Sequence, residues 1–407
     1  MNTGDTAWVL VSTALVMLMT PGLAFFYGGM VRRKNVLSIL MQCFFVLCLV
    51  SILWVVYGYS LAFAPGKFWG GFDWLMLDGV GSEPYKDYAP TIPHQVFMIF
   101  QCMFAVITPA LILGAFAERM KFSSFVAFMI LWLTFVYAPI CHWVWGVGGF
   151  LRDMGVLDFA GGTVVHINAG VAALVTALMI GRRKGAEKSI PLPHNLPFVA
   201  LGTALLWFGW YGFNAGSALS AGALAAHAFV TTHTAAAAAG LSWAVIEWLR
   251  GGKPTLFGIC SGVVAGLVAI TPAAGYVTIG GALAIGVLVS VFCYLAAAII
   301  KPKLGYDDAL DAFGVHCIGG IWGALATGLF AAKIVNDAGN NGLFFGNPAQ
   351  FIVQLKAVAI TLLYSGVVTA VIFKAVDLVI GMRVTAQEED MGLDLTQHHE
   401  RAYTMLE

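Results

Sequence analysis

Long stretches without a single charged residue constrain the fold of this chain more than any other feature of its sequence. Residues 36–63, 122–140 and 256–271 contain no Asp, Glu, Lys or Arg. Uncharged runs near the ~20 residues needed to cross a bilayer are typical of transmembrane helices. Of the 407 residues, 60% are hydrophobic and 10% charged, whereas an ordinary soluble domain has about 25% charged residues. We therefore expect an all-α protein embedded in a lipid bilayer.

Hydropathy, with Gly, Pro and charged residues as punctuation, predicts eleven transmembrane spans. Their expected bounds are 6–31, 36–63, 94–117, 122–145, 161–181, 196–217, 222–249, 255–272, 277–299, 310–332 and 349–380. The formal net charge is zero, so no basic field favours a nucleic-acid partner. The sequence also lacks a GxGxxG or Walker-type loop, so we expect no enzyme, no ATP-driven pump and no bound cofactor.

The distribution of Lys and Arg predicts how the spans are oriented, because short loops rich in these residues stay in the cytoplasm. Alternate connections contain thirteen of them: Arg32, Arg33, Lys34, Arg119, Lys121, Arg182, Arg183, Lys184, Lys188, Arg250, Lys253, Lys301 and Lys303. The intervening connections contain only four: Lys67, Lys86, Arg152 and Lys333. We expect the protein in the inner (plasma) membrane. The Lys and Arg bias then places the N-terminus outside and the C-terminus in the cytoplasm.

A short sequence echo suggests an internal repeat. Val165-His166 is followed by Gly170, and Val315-His316 is followed by Gly320, in the fifth and tenth predicted spans. Two five-span halves would insert with opposite orientations and meet at a central site. We expect a transmembrane domain over 1–382, with repeats at about 6–181 and 196–332 and an eleventh helix at 349–380, followed by a cytoplasmic tail, 383–407. The two histidines would then face each other near the midplane.

Histidines are the main candidates for a polar pathway, because carboxylates, Lys and Arg are almost absent from the span centres. The candidates are His166 and His316, with His227 and His233 in the seventh span. Imidazole accepts through one nitrogen and donates through the other, so neighbouring rings can relay a proton. The plainer alternative is a buried histidine bonded to a nearby hydroxyl. Two histidines without further ligands make a metal site improbable.

Aromatic and polar residues in the third span, at the ends of the fourth and sixth spans and before the fifth span form a second group of candidates. They are Phe100, Phe104, Trp145, Trp210, Tyr211, Phe213, Ser217 and Asp158. A cation is attracted to aromatic faces, and to Trp most strongly, while a hydroxyl can accept a hydrogen bond from it. Interfacial or core packing is the alternative for the aromatics. Asp158, which precedes Gly161-Gly162, is expected to cap a helix and is compatible with stabilising a nearby cation.

These motifs resemble the ammonium transporter family (Amt/Mep/Rh), and the match is close to its bacterial and archaeal Amt branch. The resemblance extends over nearly the whole chain. The matching blocks are TPGLAFFYGGMVRRKN (20–35), WVVYGYSLAF (54–63), FAERMKFS (116–123), DFAGGTVVHI (158–167), GWYGFNAGSA (209–218), KPTLFGICSGVVAGLVAITPAAG (253–275) and DAFGVHCIGG (311–320). Several long blocks in the same order make the resemblance specific.

The resemblance implies a homotrimer whose eleven-helix protomers each contain a hydrophobic pore. His166 and His316 correspond to the family's twin pore histidines, and Phe104 with Phe213 to its stacked gate. An outer ammonium recruitment site would comprise Trp145, Phe104 and Ser217, with Asp158 behind it and Phe100 and Trp210 in support. Asp311 would lie at the inner end, near Asp307 and Asp308. Ammonium would lose its proton and cross as ammonia, with the histidine pair as a proton wire.

Regulation is also implied by the resemblance, since the tail 383–407 is similar to the segment through which a PII-type signal protein controls this family. A solvated tail is the alternative.

Two other functions compete with transport. An ammonium sensor would carry a fused signalling domain, for which the tail of about 25 residues is too short; a channel for water, urea or carbon dioxide would not need the cation site. His233 departs from the small polar residue expected at its position.

Overall fold

Eleven long helices make up most of residues 1–185 and 192–403, which the computed structural model describes. They are α1 (Thr3–Met30), α2 (36–63), α3 (His94–Phe116), α4 (122–145), α5 (Gly162–Ile180), α6 (Leu196–Gly216), α7 (Ala223–Gly251), α8 (Leu256–Ile270), α9 (Ile279–Leu304), α10 (Phe313–Phe330) and α11 (Pro348–Val379). Ten are long and apolar enough to cross a bilayer, and α8 is a shorter apolar helix. The all-helical membrane fold is confirmed, with an unexpectedly short eighth helix.

Helix α8 ends early because a proline follows it. The span was predicted over 255–272, but the helix covers 15 residues, which rise only about 22 Å. Pro272 cannot donate a backbone hydrogen bond to continue the helix, and the chain turns until Tyr276. The Tyr276 carbonyl then accepts a 2.8 Å bond from Ala332 N–H. This contact ties the end of α8 to the end of α10.

Short π-helical turns interrupt several of the spans. Within the described ranges these turns are Trp54–Gly58, Leu133–Tyr137, Gly162–Ile167, Leu295–Ile300 and Phe313–Cys317. A π turn accommodates an extra residue, so it changes the direction of the side chains that follow and is frequent at functional sites. His166 and His316 both lie inside such turns. Hydropathy alone gave no indication of them.

The two predicted halves meet through their first helices. Helix α1 makes its most extensive contact with α6, where Gly202 lies against the backbone of Phe26 and Gly209 against Leu15 and Met19. Small residues allow helices to approach closely within a membrane. Helix α11 joins the halves from another side: Gln354 Nε2 donates to the carbonyls of Leu157, at 2.8 Å, and Ala324, at 3.1 Å.

The tail packs against the helical domain as far as it is described. Its two short helices are α12 (Ala386–Met391) and α13 (Leu393–His398). Leu393 and Asp394 are buried; Leu393 N–H donates to Asn35 Oδ1 at 2.8 Å, and Asp394 Oδ1 accepts from Ser38 N–H at 2.8 Å. The solvated alternative is therefore wrong for the buried part of the tail, which includes Glu389, Leu393 and Asp394, while residues 399–401 are exposed. Lys188, counted for orientation, and residues 404–407 lie outside the described residues.

Candidate functional site

Two buried histidines lie face to face where α5 and α10 cross. His166 Nδ1 and His316 Nδ1 are 3.3 Å apart, and the rings are inclined by only 12°. Since one imidazole nitrogen must donate and the other accept, this contact fixes complementary protonation at the two Nδ1 atoms. The side chains are 1% and 3% exposed. The repeat proposed from the sequence echo thus brings its two histidines into direct contact.

The glycines of that echo explain why the two helices can approach so closely. Gly170 and Gly320 each follow a histidine by four residues. A Cβ at Gly170 would collide with the backbone of Cys317, and one at Gly320 would press on the Gly162 carbonyl and on His166 Cβ. Each half therefore supplies the glycine that makes room for the other half's histidine turn.

An aspartate caps each histidine helix, eight residues before the histidine. Asp158 accepts four backbone N–H bonds, from residues 161, 162, 163 and 164, at 2.6–3.2 Å. Asp308 accepts two, from residues 312 and 313, at 3.1 and 2.8 Å. Burial raises the pKa of both carboxyl groups, and these backbone bonds oppose the rise. The shared spacing could have identified Asp308, which sequence reasoning passed over in favour of Asp311.

A column of aromatic rings leads to the histidines. Phe104 and Phe213 are buried, with ring centroids 4.3 Å apart. On one side Phe104 meets Trp145 edge-on at 5.7 Å, and Phe100 packs on it at 5.0 Å. On the other side Phe213 lies 6.1 Å from His166. The two phenylalanines consequently stand between Trp145 and the histidine pair.

Trp210 also belongs to this column. Its indole stacks on His166 at 5.4 Å, with the two planes inclined by 16°. Its Nε1–H donates to Thr271 Oγ1 at 2.9 Å, so the indole is tied to the end of α8. This bond holds the ring against the histidine.

Above the phenylalanines lies an open, polar cavity, here called the Trp145 vestibule. Trp145, Asp158 and Ser217 line it, together with Asp87 and Arg152. Trp145 Nε1–H donates to the Asp158 carbonyl at 2.9 Å, which fixes the indole. Ser217 donates its hydroxyl proton to the Phe213 carbonyl at 2.7 Å, so its oxygen is left free to accept from a bound cation. Three of the four candidates for the outer site thus line one cavity, and the fourth, Phe104, contacts Trp145 beneath it.

Below the phenylalanines the path becomes narrow and apolar. A cavity there is lined by the two histidines and ten apolar side chains: Met19, Leu23, Phe26, Ile107, Leu111, Val165, Leu206, Trp210, Phe213 and Val264. Within the described part of the chain, the buried His166 Nε2 has no hydrogen-bond partner. Such a passage has almost nothing with which to replace the hydration shell of an ion.

At the opposite end lies a second open cavity, the Lys301 vestibule. Lys301 Nζ lies 2.5 Å from Asp311 Oδ1 and 3.2 Å from the Asp308 carbonyl. Val315, which precedes His316, also lines this cavity. Lys301 was expected in a loop after residue 299, but α9 extends to Leu304 and places it in the last turns of the helix. Asp311 is thus engaged with a side chain of the protein itself.

Ion pairs support the wall of the Lys301 vestibule. Arg183 pairs with Asp307 at 2.8 Å and reaches Glu118 at 3.4 Å. Arg119 Nη2 donates to the Asp307 carbonyl at 2.6 Å. Burial alone would raise the pKa of Asp307, but the Arg183 guanidinium outweighs it and lowers the pKa to about 2. This carboxylate is therefore ionised at neutral pH and belongs to the framework of the mouth.

The remaining histidine candidates lie away from this path. His227 Nε2 bonds to the Val277 carbonyl at 2.8 Å, a contact that joins α7 to the chain just before α9. His233 is exposed; its Nδ1 lies 2.7 Å from the Tyr211 hydroxyl, and its ring stacks on Trp207 at 5.4 Å. The structure brings neither of them to the histidine pair.

Comparison with known proteins agrees with this architecture. The model of the Ammonium Transporter Family matches residues 7–403. The chain is 53% identical to an ammonium transporter of Bacillus subtilis, over 99% of each chain, and 50% identical to ammonium transporter Amt1 of Archaeoglobus fulgidus, over 99% of this chain and 100% of that one. The crystal structure of Candida albicans Mep2 has a TM-score of 0.90 at 35% identity, over 95% of this chain and 88% of that one. The chain therefore belongs to the Ammonium Transporter Family, a family of transporters rather than enzymes.

Proposed function

We propose that this protein transports ammonium across the cytoplasmic membrane, by binding NH4+ in the Trp145 vestibule and conducting ammonia through the histidine cavity. The observation that carries the proposal is the unbroken column Trp145, Phe104, Phe213, His166 and His316. Successive ring centroids along it are 5.7, 4.3, 6.1 and 5.4 Å apart. The column begins in a polar vestibule and ends beside the second one.

Recruitment of the cation rests on the chemistry of the Trp145 vestibule. The indole and the Phe104 ring offer faces that attract a cation, and the Ser217 oxygen can accept one of its N–H bonds. Asp158 adds negative charge nearby while it caps α5. Ammonium, with four N–H donors, satisfies all of these groups better than a neutral solute such as water or urea.

Loss of a proton is the step that lets the nitrogen pass the two phenylalanines. Among the described residues that line this passage, the histidines are the only polar side chains. Neutral ammonia can enter it because an uncharged molecule does not pay the large desolvation cost of an ion. The freed proton passes along the imidazole pair, which has a short contact between nitrogens. Potassium has no proton to release, so this route excludes it.

The proposed assembly is a homotrimer with the Trp145 vestibule outside and the Lys301 vestibule in the cytoplasm. The Lys/Arg bias of the loops supports this orientation. An exposed His233–Tyr211 pair beside Trp207 and Phe229 lies within spans α6 and α7, where polar groups are costly towards lipid. Contact with another copy would cover it.

Regulation by a PII-type signal protein is proposed through the tail and the cytoplasmic loops. Lys184 N–H donates to Glu389 Oε1 at 2.5 Å, and Arg383 pairs with Glu389 at 2.8 Å. The tail is thereby coupled to the loop that carries Arg183 at the rim of the Lys301 vestibule. A protein that binds both could plug this mouth.

Transport is tested by the current that follows an ammonium pulse applied to liposomes containing the protein. We expect a transient with ammonium, none with an equal potassium pulse, and at least a tenfold smaller transient in the His166→Ala/His316→Ala double variant, which has lost the proton path. His227→Ala is the matched control, since it removes a partly buried histidine contact away from the column. A control variant as weak as the double variant would contradict the assigned path.

Other outcomes separate the competing functions. Ammonia flux without current would establish an electroneutral channel and remove the proton wire from the mechanism. If neither flux nor current occurred in correctly folded protein, an ammonium sensor would become the better explanation. Competition by methylammonium would distinguish a cation-recruiting site from a pore for water, urea or carbon dioxide.

A further inference from the structure

The Lys301 head group lies among oxygen atoms in the Lys301 vestibule that could bind a cation. Its Nζ contacts one carboxylate oxygen, of Asp311, and one carbonyl oxygen, of Asp308. These are the oxygen acceptors that a free ammonium ion would also seek, because a lysine head group is an alkylammonium with three N–H donors. The side chains of Lys301 and Asp311 are 23% and 22% exposed, so the site opens to the vestibule.

Local structure fixes both partners in this contact. The π turn Leu295–Ile300 ends directly before Lys301 and thus sets the direction of the lysine side chain. Asp311 has a φ of 59°, a left-handed conformation that Asp tolerates better than most residues. The ion pair is therefore held by two unusual backbone segments rather than by a flexible surface side chain alone.

Formal charge differs between the two vestibules because of this lysine. Among the described residues lining the Trp145 vestibule, Asp87 and Asp158 outnumber Arg152 by one negative charge. The described residues that line the Lys301 vestibule include three cationic and three anionic side chains: Arg182, Arg183, Lys301, Glu247, Asp307 and Asp311. Without Lys301 the second mouth would carry the same net negative charge as the first.

We propose that Lys301 occupies the cation site of its vestibule with its own ammonium group and so prevents transported ammonium from being retained there. The inference rests on the proposed transport function and adds a determinant of release. The first mouth collects a dilute cation, whereas the second neither attracts nor holds it. Ammonium that accumulates on the Lys301 side then competes poorly for the mouth, and influx resists inhibition by its own product.

The size of the effect follows from one unit charge. Two like charges about 5 Å apart in water repel enough to change occupancy about fourfold, and the effect is larger in a less polar cavity. Loss of the lysine also leaves the Asp311 carboxylate without its partner, so that it can bind ammonium, which strengthens inhibition further. Lys301→Gln should therefore lower the half-inhibitory ammonium concentration on the Lys301 side by at least about fourfold.

The experiment measures influx of labelled methylammonium into oocytes that express the protein and have been injected with increasing amounts of unlabelled ammonium. Outer methylammonium is held constant, and its half-saturating concentration is determined separately. We expect Lys301→Gln to be inhibited at lower internal ammonium, with outer half-saturation changed less than twofold. Lys301→Arg, which retains the charge, and Lys303→Gln, at an exposed neighbouring position, should behave like the parent.

A variant that restores the net charge distinguishes the loss of charge from a folding defect. Lys301→Gln/Asp311→Asn has the parent's net vestibule charge, and Asn suits the left-handed backbone at 311; it should recover the parent's half-inhibitory concentration. Equal internal inhibition of parent and Lys301→Gln would overturn the proposal, as would a double variant as sensitive as the single one. A parent without any influx would reject the transport function, and this role of Lys301 with it.

Discussion

Single carboxylates set the start of both histidine turns. Asp158 and Asp308 each accept backbone N–H groups that a helix end leaves without partners. Asp158 serves four of these groups with two oxygens and is only 6% exposed. Its role in holding the α5 turn in place therefore rests on four direct contacts, whereas its role near the cation is a proposal.

Replacing Asp158 should reveal its contribution to stability. In Asp158→Ala four buried N–H groups lose their acceptor, and unsatisfied groups cost about 1–3 kcal/mol each; we expect a loss of at least about 3 kcal/mol. The measurement is the temperature at which half of the detergent-solubilised protein loses its monodisperse chromatographic peak. Asp158→Asn, which keeps one oxygen, should be intermediate, and Asp153→Ala, at an exposed position, should match the parent. Equal melting of Asp158→Ala and Asp153→Ala would contradict the capping role.

Helices α5 and α10 hold the site together as a reciprocal pair. The glycine four residues after each histidine leaves room for the opposite helix. The π turn that contains the histidine directs its imidazole inward. Because the contact at Gly170 is with backbone atoms of Cys317, a side chain there cannot be accommodated by a change of rotamer. The distance between the histidines consequently depends on the approach of two whole helices.

Gly170→Ala should separate the two helices. The added methyl group meets the Cys317 backbone, and overpacking of this kind costs about 1–3 kcal/mol. We expect a lower melting temperature and a smaller ammonium transient. Gly366→Ala is the matched control, because a Cβ there would make only an ordinary 3.6 Å contact with Val171. If the two variants melted together, close approach at Gly170 would not limit stability.

The sequence predicts an element of this fold only where that element has a recognisable pattern of residues. Hydropathy, with Gly, Pro and charged residues as punctuation, located all eleven helices, and Val-His with Gly four residues later located the crossing of α5 and α10. The π turns leave no comparable pattern, because an extra residue in a turn does not alter hydropathy. The short α8 could have been foreseen from Pro272. The roles of Lys301 and Asp311 required side-chain contacts between a helix end and a loop, which span prediction does not supply.

At the scale of the whole molecule, the tail contacts several loops and helix ends of the transmembrane domain. Leu393 and Asp394 bond to the start of α2, and Glu389 bonds to the loop after α5. Gly392 has a φ of 99°, and a Cβ there would collide with Lys34. The tail is thus fitted closely against the same end of the protein as the Lys301 vestibule, beside the loop that carries Arg183.

Native mass spectrometry should show both the assembly and its regulator. We expect a trimer of the 43.4 kDa chain that binds a PII-type protein when one from the same cell is added. Deletion of 384–407 should preserve the trimer and abolish this binding, while Gly392→Ala, which loosens the tail, should weaken it. Gly222→Ala, where a Cβ would meet nothing within 4 Å, serves as the control. Undiminished binding after the deletion would remove the tail from the interface.

The two π turns that contain the histidines also determine how the protein would respond to the insertion or deletion of a residue. Removing one residue from Gly162–Ile167 would restore an ordinary α-helical turn and rotate everything after it by about 100°. Gly170 would then face away from Cys317, although every other residue of α5 remained unchanged. A substitution along these helices changes the contacts of one side chain, whereas a change of length in either turn would reorient every side chain that follows it. The number of residues in each turn therefore decides whether the glycine after its histidine faces the other helix.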